Sequence, residues 1–330
     1  MATLTLPPAS VHSVPTNKAT PVVSQISNVR KRELLLDLIK STGVANHFHW
    51  NGVDSAVKSR SLEIVKTWNL GLSDKVLEKY LEVGLVMATT AYRHTPFDAK
   101  VFIAVYTCCV TLTDDNIMTN EMISESCSRL FGGEPQLHPI LTALIGCLTT
   151  ARLHYSTCMT NTIAMSTVDF LSSEMFLRDE GGSDLQVPEA ATFVDYLRWK
   201  TGIGEGYAAF IWPESLFPKN KSFIQTIPDA AQFICLLNDV FSFHKEDKVG
   251  ETDNYVSQRT RVLHQTALET LEETVKRVIA IDARIKTILG DTPERRAWEI
   301  FAAGYTEFHL YTPRYFLKEL LPEYYSRDRQ

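Results

Sequence analysis

The sequence lacks both a surplus of basic residues and a long apolar run. Its 330 residues include 33 Lys and Arg against 39 Asp and Glu, and the formal net charge of −6 argues against a nucleic-acid partner, which requires a basic surface. No uninterrupted apolar stretch reaches the roughly 18–20 residues of a membrane span. Residues 1–30 also lack the charged and then apolar layout of a secretory signal. We therefore expect a cytoplasmic protein with no membrane span.

Cysteine pairs with CxxC spacing are also missing. The chain contains six cysteines and is too long to depend on disulfides for its stability. We predict that all six are reduced residues of the hydrophobic core: Cys108, Cys109, Cys127, Cys147, Cys158 and Cys235.

Strand signals are scarce, whereas helical periodicity runs through most of the chain. Residues 1–28 are rich in Ser, Thr, Pro and Val and predict a disordered tail. From Val29 onward no linker or repeat separates domains, so we predict one all-α domain over 29–330. The expected helices include 137–150, 152–178, 228–246, 256–289 and 293–309, with loops at 179–184 and 247–254.

One of these helices carries oxygen-bearing side chains at its end. Asn238, Ser242 and Glu246 are spaced four residues apart, so an amide, a hydroxyl and a carboxylate share one helix face. The preceding residues 233–237 are apolar, and a polar set placed there loses hydration unless a cation compensates. The spacing therefore predicts a magnesium site.

A second acidic site follows the most apolar helix of the sequence. Residues 101–110 are apolar around nearly the whole helix circumference, which predicts a central buried helix leading into Asp114 and Asp115. The two carboxylates repel each other, and a bound cation would relieve the repulsion. Two solvated aspartates at a helix end are the alternative, which the Asn238 set makes less favourable.

Two polar sites facing an apolar cavity suit a prenyl diphosphate. Its anionic head requires magnesium ions and basic donors, and its tail requires an apolar pocket. Neutralising the diphosphate promotes its departure. Aromatic faces would stabilise the resulting carbocation by about 0.5–2 kcal/mol each.

The ordered motifs resemble those of class I terpene cyclases, and most of all the fungal trichodiene synthase group. The stretch from Asn238 to Glu246 resembles the second metal motif, Asp114-Asp115 the aspartate-rich motif, and Arg314-Tyr315 the closing pair. The resemblance covers roughly residues 80–316. It implies a helical bundle around a central active-site cavity, farnesyl diphosphate as substrate, three Mg²⁺ ions and a homodimer.

The resemblance also implies roles for single residues. Asp114 would bind two ions, and Asn238, Ser242 and Glu246 the third. Asp115 would pair with Arg314 when the site closes. Diphosphate would be contacted by Arg198, Lys245, Arg314 and Tyr315. Thr201 and Gly202 resemble the residues that present a carbonyl to the cation, and Phe170, Phe308 and Tyr106 resemble pocket walls. Each basic or aromatic residue also has an ordinary interpretation, as a surface charge or a core side chain.

One position departs from the family pattern. The fifth residue of the aspartate-rich motif is Met118 instead of an acid, and the next carboxylate belongs to Glu121. The first aspartate is the one most needed for metal, so we expect activity to survive.

Three functions compete at this point. We favour a magnesium-dependent sesquiterpene synthase, a lyase that cyclises farnesyl diphosphate to a hydrocarbon or alcohol. A chain-elongating prenyltransferase should instead carry a second aspartate-rich motif where this chain has Asn238 and Ser242. A non-catalytic helical protein should have damaged ligands.

Overall fold

The computed structural model describes residues 26–115, 117–180, 187 and 190–325. Most of the predicted tail, most of the predicted 179–184 loop and Asn116 of the aspartate-rich motif lie outside these residues. Residue 28 of the predicted tail already belongs to the first helix.

Thirteen α-helices and no β-strand are found in this part of the chain, which confirms the all-α prediction. The helices are α1 (Asn28–Thr42), α2 (Ser55–Lys66), α3 (Asp74–Thr90), α4 (Phe97–Asp114), α5 (Asn120–Gly132), α6 (Pro139–Thr150), α7 (Thr157–Glu180), α8 (Ala191–Thr201), α9 (Gly204–Ala209), α10 (Ile227–Val249), α11 (Tyr255–Leu263), α12 (Ala267–Leu289) and α13 (Pro293–Tyr311). None of the helices so described is both long and apolar enough to cross a bilayer.

The central helix is α4, as the sequence predicts. Every side chain from Val101 to Cys109 is buried. Its closest neighbour is α3, where a Cβ at Gly84 would collide with the carbonyl of Ala104. This close approach of two backbones requires glycine. The helix therefore runs through the core and delivers Asp114, its last residue, to one end of the bundle.

Helix α10 brings the second predicted motif alongside. It begins at Ile227 with Pro228 in its first turn, where a missing N–H is tolerated. It ends at Gly250, which adopts φ 73° and caps the helix. The helix begins one residue before the predicted start and extends three residues beyond the predicted end, so the predicted loop 247–254 is correspondingly shorter.

Two other helix predictions need correction. The predicted helix 256–289 is divided into α11 and α12, because His264 adopts a left-handed φ of 53° and Thr266 with Glu269 forms a capping box that starts α12. The predicted start at 152 is a 3₁₀ turn, Ala151–Leu153, and α7 begins only at Thr157.

All six cysteines are free, as predicted, but not all belong to the core. Cys158 of α7 is exposed, so the core prediction is wrong for this residue. Cys127 of α5 is half-buried and packs against the core.

Candidate active site

A cavity of about 400 Å³ opens between α4, α7, α8, α10 and α13. Its wall includes most of the predicted site residues, contributed by widely separated parts of the chain: Asp114, Phe170, Arg198, Thr201, Gly202, Asn238, Glu246, Phe308, Arg314 and Tyr315. The fold therefore brings the two predicted metal motifs to one cavity.

Asp114 faces this cavity from the end of α4. Desolvation by the surrounding protein raises the pKa of its carboxyl, and repulsion from Asp115 raises it further. The guanidinium groups of Arg314, Arg198 and Arg178 act in the opposite direction. A divalent cation would relieve both unfavourable effects.

Asp115 accepts a hydrogen bond from a tyrosine of α3. The Tyr80 hydroxyl donates to Asp115 Oδ2 at 2.6 Å, and this bond raises the pKa of Tyr80 to about 12. Arg314 lies beside the Tyr315 ring, 5.7 Å from its centroid. In this arrangement Tyr80 binds Asp115, and the Asp115–Arg314 pair expected for the closed site stays a prediction.

The unusual fifth position of the aspartate-rich motif is buried. Met118 is only 4% exposed, so its side chain belongs to the core. Arg178 of α7 donates to the carbonyl oxygens of Thr113 and Met118, at 3.0 and 2.9 Å. These bonds attach both sides of the Asp114-Asp115 turn to α7. Glu121 is exposed in the first turn of α5, away from the cavity wall.

Glu174 is an acidic cavity residue that the sequence did not reveal. It lies 3.6 Å from Arg178, one helical turn along α7. Burial raises the pKa of Glu174 to about 7, and repulsion from Asp114 contributes. The i, i+4 spacing of Glu174 and Arg178 was visible in the sequence, but their proximity to Asp114 depends on the packing of α7 against α4.

Asn238 is held on three sides. Its Oδ1 accepts a hydrogen bond from Arg198 Nη2 at 3.1 Å, while its Nδ2 lies 3.2 Å from His309 Nε2 and 3.4 Å from the Tyr315 hydroxyl. Burial lowers the pKa of His309 to about 3, so the ring is neutral at physiological pH. The side chain of Asn238 is therefore fixed before any ligand binds.

The other two residues of this motif differ in exposure: Ser242 is buried behind the cavity wall, whereas Glu246 is half-buried and lines the cavity. Ser242 is 3% exposed, and its Oγ has no hydrogen-bond partner among the described residues. One turn later, burial raises the pKa of Glu246 to about 7, and an interaction with the nearby Ser242 hydroxyl offsets part of the rise. A buried hydroxyl that makes no well-formed hydrogen bond and a carboxylate with a raised pKa are both unfavourable in the protein alone. Both would be satisfied by a magnesium ion, so the residues fit that group.

The magnesium interpretation depends on the amide and hydroxyl. Across residues 26–115, 117–180 and 190–325, no three His, Cys, Asp or Glu side chains cluster as a metal site. Asn238 and Ser242 would therefore have to complete the ligand set that Glu246 begins.

Arg198 is tied to α10 through Asp239. Its Nε lies 2.8 Å from Asp239 Oδ1, and its Nη2 also donates to the carbonyl of Cys235 at 3.2 Å. Although burial alone would lower it, the pKa of Arg198 is raised by Asp239. Asp239 follows Asn238 directly in the motif, and the sequence did not indicate its role.

Gly202 ends α8 in contact with Arg198. A Cβ on Gly202 would lie 2.5 Å from Cys235 Sγ and 2.8 Å from Arg198 Nη1. The next residue, Ile203, adopts a left-handed φ of 49°, which breaks the helix before α9. The predicted helix break is present, and glycine is needed there because the guanidinium occupies the space of a side chain. Thr201 Oγ1 donates to the Arg198 carbonyl at 3.3 Å.

Lys245 and Tyr106, like Ser242 and Asp115, do not line the cavity. Lys245 Nζ is 3.8 Å from Glu251 Oε2, at the rim. Tyr106 is fully buried behind the wall, where its hydroxyl bonds Thr167 and its ring packs on Tyr207 and Phe210. The structure therefore does not bring Tyr106 to the substrate cavity. The aromatic wall is instead formed by Phe170, Phe308, Tyr207 and Tyr305.

Comparison with solved structures identifies the fold. The crystal structure of linalool/nerolidol synthase from Streptomyces clavuligerus matches with a TM-score of 0.61 at 16% identity, over 79% of this chain and 99% of that one. The architecture is that of the class I terpene synthases.

Sequence comparison identifies the family. Residues 63–330 match the family described as trichodiene synthase (TRI5). Monoterpene synthase 25 of Postia placenta is 32% identical over 282 residues, covering 84% of this chain and 83% of that protein. (E)-beta farnesene synthase of Metarhizium brunneum is 32% identical over 240 residues, covering 71% and 72%. The chain belongs to the trichodiene synthase family, which confirms the predicted resemblance. The family also supports the prediction that the protein is a lyase acting on prenyl diphosphates.

Proposed function

We propose that this protein is a magnesium-dependent sesquiterpene synthase that ionises farnesyl diphosphate and cyclises the resulting cation. The presence of both charged or polar groups and aromatic groups on the wall of one cavity carries the proposal. Asp114, Asn238, Glu246 and Arg314 lie on its wall with Phe170, Tyr207, Tyr305 and Phe308. A substrate with an anionic head and an apolar tail requires both kinds of group.

The cavity extends along α4 away from Asp114. Thr107 and Asp114 both line it and are seven residues apart on α4, which corresponds to about 10 Å along the helix. The Tyr207 hydroxyl donates to Thr107 Oγ1 at 3.2 Å, and the rings of Tyr106 and Phe210 pack against Tyr207. Thr107 and Tyr207 line this end of the cavity, with Tyr106 and Phe210 behind them, so a farnesyl chain would fold within about two helical turns.

Asn238, Ser242 and Glu246 would hold magnesium on α10, and Asp114 would hold it on α4. When bound, magnesium supplies positive charge to the departing diphosphate. Tyr315 accepts from Asn238, which leaves its own hydroxyl proton available to the leaving group. Arg198 and Arg314 contribute positive charge on the same side of the cavity.

The aromatic wall would act after ionisation. Phe170 and Phe308 are almost completely buried yet line the cavity, so their ring faces can contact the cation with little competing water. Each such contact is worth about 0.5–2 kcal/mol. Transfer of Asp115 from Tyr80 to Arg314 would close the cavity over the substrate and exclude water.

Incubation with geranyl, farnesyl and geranylgeranyl diphosphates tests the proposal. Each is supplied with magnesium or with excess chelator, and extracts are analysed by gas chromatography and mass spectrometry. A cyclic C15 product that requires magnesium is expected. A C10 product from geranyl diphosphate with no farnesyl turnover would overturn the sesquiterpene assignment. Longer linear diphosphates formed with isopentenyl diphosphate would favour the elongating enzyme. The cytoplasmic location and the homodimer stay predictions.

A further inference from the structure

The amide of Asn238 lies between groups of opposite hydrogen-bonding character. Arg198 Nη2, 3.1 Å from Asn238 Oδ1, can only donate. On the opposite side, His309 Nε2 lies 3.2 Å from Asn238 Nδ2. A side-chain amide can be turned over by 180° with almost no change in shape, so its neighbours decide where the oxygen points.

The second nitrogen of His309 determines what Nε2 can do. His309 Nδ1 lies 2.7 Å from the main-chain carbonyl oxygen of Tyr305, one turn earlier on α13. A carbonyl oxygen only accepts, so Nδ1 carries the proton and Nε2 presents a lone pair. The ring is fully buried and stacks on Phe241, with centroids 5.4 Å apart, so packing opposes its rotation.

We propose that His309 is a positioning residue that orients the Asn238 amide, so that the amide oxygen is presented to Arg198 and to magnesium. With the amide turned over, Nδ2 would face Arg198 as donor against donor, and Oδ1 would face the lone pair of Nε2. Magnesium takes oxygen ligands, so this orientation would not serve it. The inference rests on the proposed function, because it assigns Asn238 to the metal. His309 itself lies behind Asn238, outside the cavity wall.

Two substitutions at His309 separate its two hydrogen bonds. In His309→Gln the side-chain amide reaches approximately the position of Nε2, so its oxygen can still accept from Asn238. In His309→Asn the shorter amide reaches approximately the position of Nδ1. This variant keeps a donor for the Tyr305 carbonyl and leaves Asn238 Nδ2 without its acceptor. Both variants remove the buried ring, and the thermal midpoint of each accounts for the larger volume lost in His309→Asn.

The readout is calorimetric binding of magnesium together with inorganic diphosphate, beside the thermal midpoint of each variant. Loss of an outer partner of a metal ligand typically weakens metal affinity by roughly 10- to 100-fold. We expect a loss of this size in His309→Asn and an affinity close to wild type in His309→Gln. Equal affinities in the two variants, with similarly lowered midpoints, would overturn the inference and leave His309 as a packing residue.

The tautomer gives a second test that needs no metal. In protein labelled with ¹⁵N-histidine, two-bond proton–nitrogen spectra should show the His309 proton on Nδ1, with the signal assigned by its loss in His309→Gln. A proton on Nε2 would overturn the inference, and so would a wild-type protein that binds no magnesium with diphosphate. Neither measurement uses turnover. A protein that passes both but does not convert farnesyl diphosphate refutes the proposed substrate and not the role of His309.

Discussion

Arg198 Nε lies 2.8 Å from Asp239 Oδ1 and 3.0 Å from Asp239 Oδ2, so a single nitrogen bonds both carboxylate oxygens. This pair connects α8 to α10 inside the protein, and it keeps the guanidinium beside Asn238. A buried ion pair is weak evidence for stability, but removal of one partner leaves an uncompensated charge.

Asp239→Ala is therefore expected to lower the free energy of unfolding by roughly 3 kcal/mol. This value is at the lower end of the range for a broken buried ion pair, because Arg198 also faces the cavity. Urea unfolding followed by circular dichroism measures the change. The double variant Asp239→Ala with Arg198→Met should recover part of the loss, since no charge is left unpaired. A double variant no more stable than Asp239→Ala would contradict this explanation.

Asp114→Asn should reduce turnover on the order of 10²–10³-fold while the helical content stays unchanged, because a charged ligand for magnesium is lost. Glu121→Gln is the matched control: it removes the next carboxylate of the same motif, which is exposed on α5. We expect Glu121→Gln to retain wild-type turnover. If Glu121→Gln reduced turnover and Asp114→Asn did not, the proposed metal site would have to be assigned to α5 instead.

Gly202→Ala should impair the enzyme more than the fold. The new methyl group would press on Arg198 Nη1 and Cys235 Sγ, and overpacking of this kind costs about 1–3 kcal/mol. The loss of turnover, converted to an activation free energy, should exceed the loss in the free energy of unfolding, because Arg198 must leave its place beside Asn238. Gly146→Ala is the control: nothing lies within 4 Å of its Cβ position in α6, so it should be neutral or slightly stabilising. Wild-type kinetics in Gly202→Ala would contradict the packing argument.

Tyr80→Phe should favour the closed site. The variant loses the 2.6 Å hydrogen bond that holds Asp115, and one such bond is worth about 0.5–1.5 kcal/mol. Asp115 then becomes free to pair with Arg314, so we expect roughly 2- to 10-fold tighter binding of inorganic diphosphate with magnesium. Adding Arg314→Gln should cancel the gain. Weaker binding in Tyr80→Phe would show that Tyr80 supports the closed state instead.

The metal-free site should hold protons that magnesium displaces. Burial raises the pKa of Glu246 from 4.5 to about 7, so its neutral form predominates below pH 7. Ionisation is disfavoured in the fold, so this group lowers stability as pH rises from 4.5 through 7. The proposed magnesium ion would bind the ionised form, so its affinity should increase as pH rises from 6 to 8.

Calorimetry at pH 6 in two buffers of different ionisation enthalpy counts the protons released. We expect about one proton from Glu246 per magnesium ion bound on α10, decreasing towards none at pH 8. Glu174→Gln is the control, because the pKa of Glu174 is also raised to about 7. Loss of proton release in Glu174→Gln, with release retained in Glu246→Gln, would place the metal against α7.

The sequence was sufficient for the parts of the site that depend on local spacing. The 3.6-residue period places Asn238 and Glu246 on one side of α10, and the apolar run before Asp114 requires a buried helix. Capping is harder to anticipate from periodicity alone. The left-handed turn at His264 interrupts a continuous helical pattern, and the prediction missed it.

Contacts between distant residues could not be predicted from spacing. Tyr80 and Asp115 are 35 positions apart, and Asn238 and His309 are 71 apart. The residues of each pair come into contact only because separate parts of the chain pack against each other in the folded protein. Spacing can also mislead, as Tyr106 shows. It lies two turns before Asp114 on the same helix, yet it packs in the aromatic cluster behind the cavity wall. The side of α4 towards the cavity is occupied instead by Thr107, Val110 and Thr111.

The distribution of thiols makes the protein suitable for optical labelling. Burial raises the pKa of Cys235, beside Arg198, to about 11, so this thiol is almost wholly unionised at neutral pH and reacts slowly with maleimides. Cys158 is exposed near the start of α7. A dye would therefore attach there first and leave the sulfur of the cavity untouched. Helix α7 also carries Arg178, which bonds the main chain on both sides of the Asp114-Asp115 turn. The fluorescence of a dye on Cys158 would therefore report on the helix that supports this turn.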